Sequence, residues 1–209
     1  MNGAVLVIDS ASDAMVVAFA PREGEPVLEV HIGAQDHSQM LLQMVNTVAA
    51  GRKDRLEAIV VVRGPGGYSG IRVGLATAEG LSLALGIPVA GVGTLEAVDD
   101  AARYTGAAGR LVAIHPAGRG DYATQAFPGD SSAGEMALVH GDDLGSEPVA
   151  GEGAGAFDGI EIGPEQRCLA AARLYRAGRA SSADAVYVRE PHITLPRKRP
   201  ANDDPGTPG

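Results

Sequence analysis

The chain has 209 residues, of which 45% are hydrophobic, enough for one good core or two small ones. No apolar run approaches the roughly 18 residues that span a bilayer, and Met1-Asn2-Gly3 leads straight into a strand, so a cytoplasmic protein without signal peptide or membrane helix is expected. One cysteine, Cys168, excludes an intrachain disulfide and a multi-thiolate metal site, and the net charge of −9 argues against a stand-alone nucleic-acid binder.

Residues 4–9, 15–20 and 26–32 read as three strands joined by short turns, followed by a helix that Ser38 caps and Gly51 ends, with Leu41, Leu42, Val45, Val48 and Ala49 at helical spacing. The β-branched run 58–62 then enters the sequence Arg63-Gly64-Pro65-Gly66-Gly67-Tyr68-Ser69-Gly70-Ile71-Arg72-Val73-Gly74. Here Gly66 and Gly67 supply backbone freedom and Ser69 is placed to cap a helix over 71–85, whose free amides are a candidate anion site. For Gly64, Pro65, Gly66, Gly67 and Ser69 a structural role, a sharp turn onto a close-packed helix, outweighs a phosphate cradle, because no lysine opens the helix.

A strand over 89–92 and a helix over 95–104 complete a first lobe, residues 1–105. Thr105-Gly106-Ala107-Ala108-Gly109 is a small-residue break. Strands at 110–114 and 122–127 then open a second lobe, residues 106–195. Its middle, 128–163, reads as long loops over a thin core, before an amphipathic helix over 164–177 and a last strand or extended segment at 185–188. Residues 196–209, rich in proline and charge, form an unstructured tail in this reading. Charge is divided: from 120 to 166 there are ten acids and no Lys or Arg, whereas 167–200 carries eight bases and two acids. If any part of the chain meets RNA, it is this last segment, with Arg189, Arg197, Lys198 and Arg199.

The glycine-rich phrase, its continuation Leu75-Ala76-Thr77-Ala78-Glu79-Gly80-Leu81, and Gly91-Val92-Gly93-Thr94-Leu95-Glu96-Ala97 resemble the signature of the TsaB (YeaZ) family. Val7-Ile8-Asp9-Ser10 with Ser12, His37-Ser38-Gln39, Gly151-Glu152-Gly153-Ala154 and Tyr187-Val188-Arg189-Glu190-Pro191 extend the likeness. The resemblance implies an α/β protein of actin-like, Hsp70 or sugar-kinase (RNase-H-like) fold, with two lobes and the second degenerate. It also implies a non-catalytic partner in tRNA threonylcarbamoyladenosine formation, working with a TsaD-like catalytic homologue and a TsaE-like ATPase, with tRNA met through the complex.

Two enzymatic alternatives are open to such a fold, a degenerate ATPase and a glycoprotease-type metallopeptidase. For the first, Asp9, Ser10 and Ser12 form a vestigial nucleotide site: Asp9 stands where a magnesium-organising carboxylate would, but Ser10-Ala11-Ser12-Asp13 offers neither glycine nor cation. His115 stands where the resembled family has Asp, so half of a phosphoryl-transfer clamp is lacking. For the second, none of His31, His37, His115, His140 and His192 lies close enough to another to form a ligand pair, so no metal, cofactor or catalytic residue is assigned.

What remains is a surface. On the helix 70–85 one apolar stripe, with Ile71, Leu75, Ala78 and Leu85, suits the lobe's own sheet. A second, with Gly70, Val73, Gly74, Thr77 and Leu81, has small residues that let another helix approach. With Met40 and Met44 on the preceding helix, this second stripe is the expected partner interface, or a homodimer interface in isolation. On that reading Gly74→Leu breaks partner binding and leaves the fold intact.

Overall fold

The computed structural model describes residues 3–33, 37–129 and 133–188, apart from the side chains of His37 and Ser38. Ser38 as a cap, Arg189 and the whole tail therefore lie outside the described residues.

Three strands, β1 (Ala4–Asp9), β2 (Ala14–Pro21) and β3 (Val27–Ile32), pair antiparallel as a meander. Helix α1 (His37–Val48) carries the chain back so that β4 (Leu56–Val62) joins β1 in parallel, and α2 (Tyr68–Leu85) returns it for β5 (Val89–Val92) beside β4. The order is β3-β2-β1-β4-β5. Central strands β1 and β4 are almost continuously apolar because both of their faces are covered. Helix α2 stops at Gly86, whose φ of +65° is a left-handed cap that glycine adopts without strain.

After α3 (Thr94–Tyr104) the same order recurs. Strands β6 (Leu111–Gly118), β7 (Asp121–Phe127) and β8 (Met136–His140) form a second meander. Then β9 (Val149–Gly151) pairs in parallel with β6, and β10 (Ile160–Glu161) in parallel with β9. Helix α4 (Pro164–Arg176) follows, as α3 follows β5. What differs is the crossovers. Where the first lobe uses α1 and α2, of 12 and 18 residues, the second has single 3-10 turns at Gly141–Asp143 and Ala154–Phe157. The chain is thus a two-lobed actin-like fold whose second lobe, among the described residues, has short turns where the first has α1 and α2. The span 128–163, read as loops, contains strands β8, β9 and β10; two of these are three residues or fewer, too short to show a period.

Helices α1 and α2 pack on one face of the first sheet. Alternation along β1 sets the rest: a Cβ on Gly74 of α2 would lie 3.6 Å from Ile8, so the next residue, Asp9, points to the opposite face, where α4 lies. Helix α3 packs on α4 and on β6, β7 and β9, so α3 and α4 form a layer between the two sheets. A single apolar core runs through both lobes, from Leu6, Ile59 and Val61 to Leu111, Phe127 and Leu174. Among the described residues, Ile114, Val149 and Ala154 form a separate small cluster, beside the 3-10 turn Ala154–Phe157. The expected segment at 185–188 is extended and not a strand: Val186 donates its N–H to the Arg63 carbonyl at 2.8 Å, and Ser181 bridges Gly91.

Candidate functional site

Strand β1 ends on a carboxylate, and the chain there must turn into β2 within four residues. Asp9 is fully buried, and its Oδ1 accepts the Ala11 N–H at 3.0 Å, which fixes the turn. Its Oδ2 accepts from Nε of Arg167 on α4 at 3.1 Å. Arg167 is itself fully buried and donates further from Nη1 to Glu152 Oε2 at 2.8 Å and from Nη2 to Ser12 Oγ. Ser12 in turn donates to Glu152 Oε2 at 2.7 Å. Two carboxylates and a hydroxyl, from β1, from the β1–β2 turn and from the residue after β9, therefore converge on one guanidinium. The planar fork of arginine suits this geometry, since each nitrogen can face a different acceptor. The Arg167 guanidinium holds the Glu152 carboxyl below the ordinary range, against the burial that raises it.

His115 completes the cluster. By register it is the second sheet's counterpart of Asp9, one residue beyond Ile114 as Asp9 is one beyond Ile8. Its Nε2 lies 3.3 Å from the Ala11 carbonyl, and Nδ1 is 3.8 Å from Glu152 and without a hydrogen-bond partner among the described residues. Burial, and then the positive charge of Arg167, push its pKa down from 6.5 to about 4. The ring is neutral at pH 7, and a group whose folded pKa lies below its unfolded value contributes stability that is complete above the unfolded pKa. Stability is therefore expected to fall as pH drops from about 6.5 toward about 4. Urea unfolding at pH 7, 5.5 and 4.5 measures this, and His115→Asn should remove most of the slope over the upper part of that window, before carboxylates titrate.

Of the vestigial nucleotide residues, Asp9 and Ser12 are thus brought together, but around an internal cation. Ser10 faces the other way and donates from Oγ to the Gly70 carbonyl at 2.9 Å. Sequence reading missed Arg167 because its partners lie 158, 155 and 15 positions away. One signal was present: on a helical wheel Arg167 falls with Ala170, Ala171 and Leu174, all buried, so a charge interrupts the apolar stripe of α4. Of the basic segment from 167, Arg167 is buried, whereas Arg176 and Arg179 stand exposed. Arg173 pairs with Asp100 at 2.7 Å, and Arg176 donates to the carbonyls of Ala20 and Pro21.

In the glycine-rich loop the left-handed position and the helix cap fall on other residues than the sequence argument named. Gly66 and Gly67 take ordinary φ values, and the left-handed residue is Gly64, at φ +104°. Gly66 is needed for close approach, since a Cβ there would lie 2.4 Å from the Ala11 carbonyl oxygen. Ser69 is not the cap: α2 begins at Tyr68 with Gly67 as N-cap, and no side chain caps it. Gly67 donates its N–H to Ala11 at 2.7 Å, and Pro65 is buried. The Ala11 carbonyl thus takes the Gly67 amide, and the Ser10-Ala11 backbone packs against the start of α2.

The expected partner stripe is divided by the packing. Gly70 and Gly74 are buried against the chain's own β1–β2 turn, with Cβ positions 2.1 Å from the Ser10 carbonyl oxygen and 2.3 Å from Ser10 Oγ. They serve the lobe's interior, and Gly74→Leu is expected to strain the fold and not to spare it. Met44 is buried as well. Met40, Val73, Thr77 and Leu81 are half-buried. Exposed on the same two helices stand Leu42, at 49%, and Leu83, at 87%. The sequence argument placed Leu83 on neither stripe.

A cavity of about 400 Å³ lies elsewhere, lined by Glu96, Asp99, Asp100, Arg103, Phe127 and Arg179 among others. Its acids are engaged: Asp99 with Arg103, Asp100 with Arg173, and Glu96 with the Gly93 N–H. Cys168 is fully buried and its thiol pKa is pushed up, so it is a packing residue. Among the described residues, no three His, Cys, Asp or Glu side chains are grouped to hold a metal, and no helix is long and apolar enough to cross a membrane.

Residues 31–129 match the family profile described as TsaD, tRNA N6-adenosine threonylcarbamoyltransferase. Among curated proteins, the chain is similar to the tRNA threonylcarbamoyladenosine biosynthesis protein TsaB of Escherichia coli K12, at 29% identity over 142 residues, covering 66% of this chain and 59% of that one. It is similar also to TsaB of Haemophilus influenzae, at 30% identity over 104 residues, covering 48% and 44%. The matches therefore span about half of the length of these relatives. Among solved structures, YeaZ from Pseudomonas aeruginosa superposes with a TM-score of 0.69 at 24% identity, over 88% of this chain and 99% of that one, a likeness of fold. With the glycine-rich motif inside the matched span and a two-lobed architecture like that of YeaZ, the chain is similar to the TsaB (YeaZ) proteins in sequence and in fold.

Proposed function

We propose that this protein is a non-catalytic, activating subunit in tRNA threonylcarbamoyladenosine biosynthesis. It pairs in the cytoplasm through α1 and α2 with a TsaD-type homologue and supports transfer of a threonylcarbamoyl group to the adenosine beside the anticodon of tRNAs that read ANN codons. The observation that carries the non-catalytic half is the buried cluster: the carboxylate best placed to organise a metal, Asp9, is committed to Arg167, and its counterpart is a neutral histidine. The pairing half rests on the outward face of α1 and α2, where Leu42 and Leu83 stand clear of the chain's own core. A TsaE-type ATPase is the third member, tRNA is met through the assembly, and the same helices support a homodimer when the partner is missing.

The test is reconstitution. The purified chain, a TsaD-type homologue, a TsaE-type ATPase, tRNA and threonylcarbamoyl-adenylate are combined, and modified adenosine is measured with each protein left out in turn. Product is expected only when this chain and the homologue are both present. The chain alone should neither hydrolyse ATP nor cleave peptides, and turnover abolished by Asp9→Ala would establish the enzymatic reading instead.

A further inference from the structure

Arg167 is the largest fully buried side chain among the described residues, and its position is mechanical as well as electrostatic. Helix α4 follows the second sheet in sequence but packs on β1, β2, β4 and β5 of the first. From that seat the guanidinium bonds Asp9 and Ser12 on the first lobe and Glu152, which follows β9, on the second. Ser12 to Glu152 at 2.7 Å is a direct bond between the lobes, and His115 of β6 approaches the Ala11 carbonyl beside it. Remove the guanidinium and two carboxylates from opposite lobes face each other with Ser12 and a neutral imidazole between them. Uncompensated charges in a site of low dielectric repel strongly and draw in water. Away from this cluster the lobes are also tied by Arg173 to Asp100 and by Arg176 to the carbonyls of Ala20 and Pro21.

We propose that Arg167, with Asp9, Ser12 and Glu152, is an interlobe latch: a cation built into the chain holds the β1–β2 turn against the end of β9, and its loss lets the two segments part there while each sheet stays folded. In this arrangement the subunit is a single rigid body, and its α1 and α2 face is presented in a fixed relation to the second lobe. The inference concerns the isolated chain and stands or falls independently of any partner.

Hydrogen exchange read by mass spectrometry on the full chain tests it, with the radius of gyration from X-ray scattering beside it. In Arg167→Met, amides in 9–13 and 150–154 should exchange at least about tenfold faster than in the parent, while those of β4 and α2 keep their protection and the radius of gyration rises. The charge-neutral triple variant Asp9→Asn, Glu152→Gln, Arg167→Met should recover part of that protection, because no unpaired charge is left. Should Arg167→Met fail to fold, Glu152→Gln serves, since it weakens only the link to the second lobe; the same two segments should again exchange faster. Unchanged exchange at both segments in either variant overturns the latch. So does a loss spread evenly over both sheets, which would make Arg167 a general core residue.

Discussion

Gly70→Ala should destabilise the protein by about 2–3 kcal/mol, whereas Gly80→Ala, ten residues along the same helix, should stabilise it by roughly 0.5–1 kcal/mol. Helix propensity alone predicts a gain at both. At Gly70 the new Cβ would lie 2.1 Å from the Ser10 carbonyl oxygen, a backbone atom that cannot move without displacing the turn between Asp9 and Ser12. At Gly80 nothing lies within 4 Å, so only the entropy of the unfolded chain changes. For a chain of this size the first change lowers Tm by roughly 5–10 °C and the second raises it by a degree or more. Thermal unfolding of the two variants side by side decides the matter. A Gly70→Ala variant as stable as its parent would mean that α2 does not sit on the turn as described.

The second large effect is on association. Joint replacement of Leu42 and Leu83 by aspartate should weaken binding to a TsaD-type homologue by 100-fold or more, taking apolar anchors at about 2 kcal/mol each or somewhat less. The cost to the fold should be small, less than about 0.5 kcal/mol at Leu83 and somewhat more at Leu42, which is half-buried. Leu83, at 87% exposure, has almost no contact to lose within the chain. Calorimetric titration of the homologue, with melting of the variant alone, separates the two quantities. Unchanged affinity with unchanged melting would place the partner surface elsewhere than on α1 and α2. Gly74→Leu is the contrast: its bulk is directed at Ser10 and Ile8, so its melting temperature should fall whether or not a partner is present.

The periodic first half was largely legible. Strands β1, β2 and β4, helix α2 and the stop at Gly86 follow from β-branched runs, helical spacing and glycine, all properties of neighbours in the chain. The second half was legible only at its ends. Strands β9 and β10, of three and two residues, are strands because β6 offers β9 a paired edge and β9 offers one to β10. No local pattern encodes that. The motif Gly64-Pro65-Gly66-Gly67 announced a tight approach, yet which glycine needs its freedom depended on where Ala11 and Val186 lie, since a Cβ on Gly64 would meet the Val186 carbonyl oxygen at 2.3 Å.

The sequence by itself determined the α/β class, the first lobe's element order, the family likeness and the exclusion of an intrachain disulfide. Composition and short-range periodicity carry that information directly. The tertiary structure alone decided which side of α2 is interior, that Leu83 and not Gly74 faces outward, and that the acidic residue ending β1 is neutralised from within. Each of these is a relation between residues far apart in the chain. Arg167 meets Asp9 across 158 positions because α4 crosses back onto the first sheet, and a crossing of that kind is fixed by packing and not by any local preference.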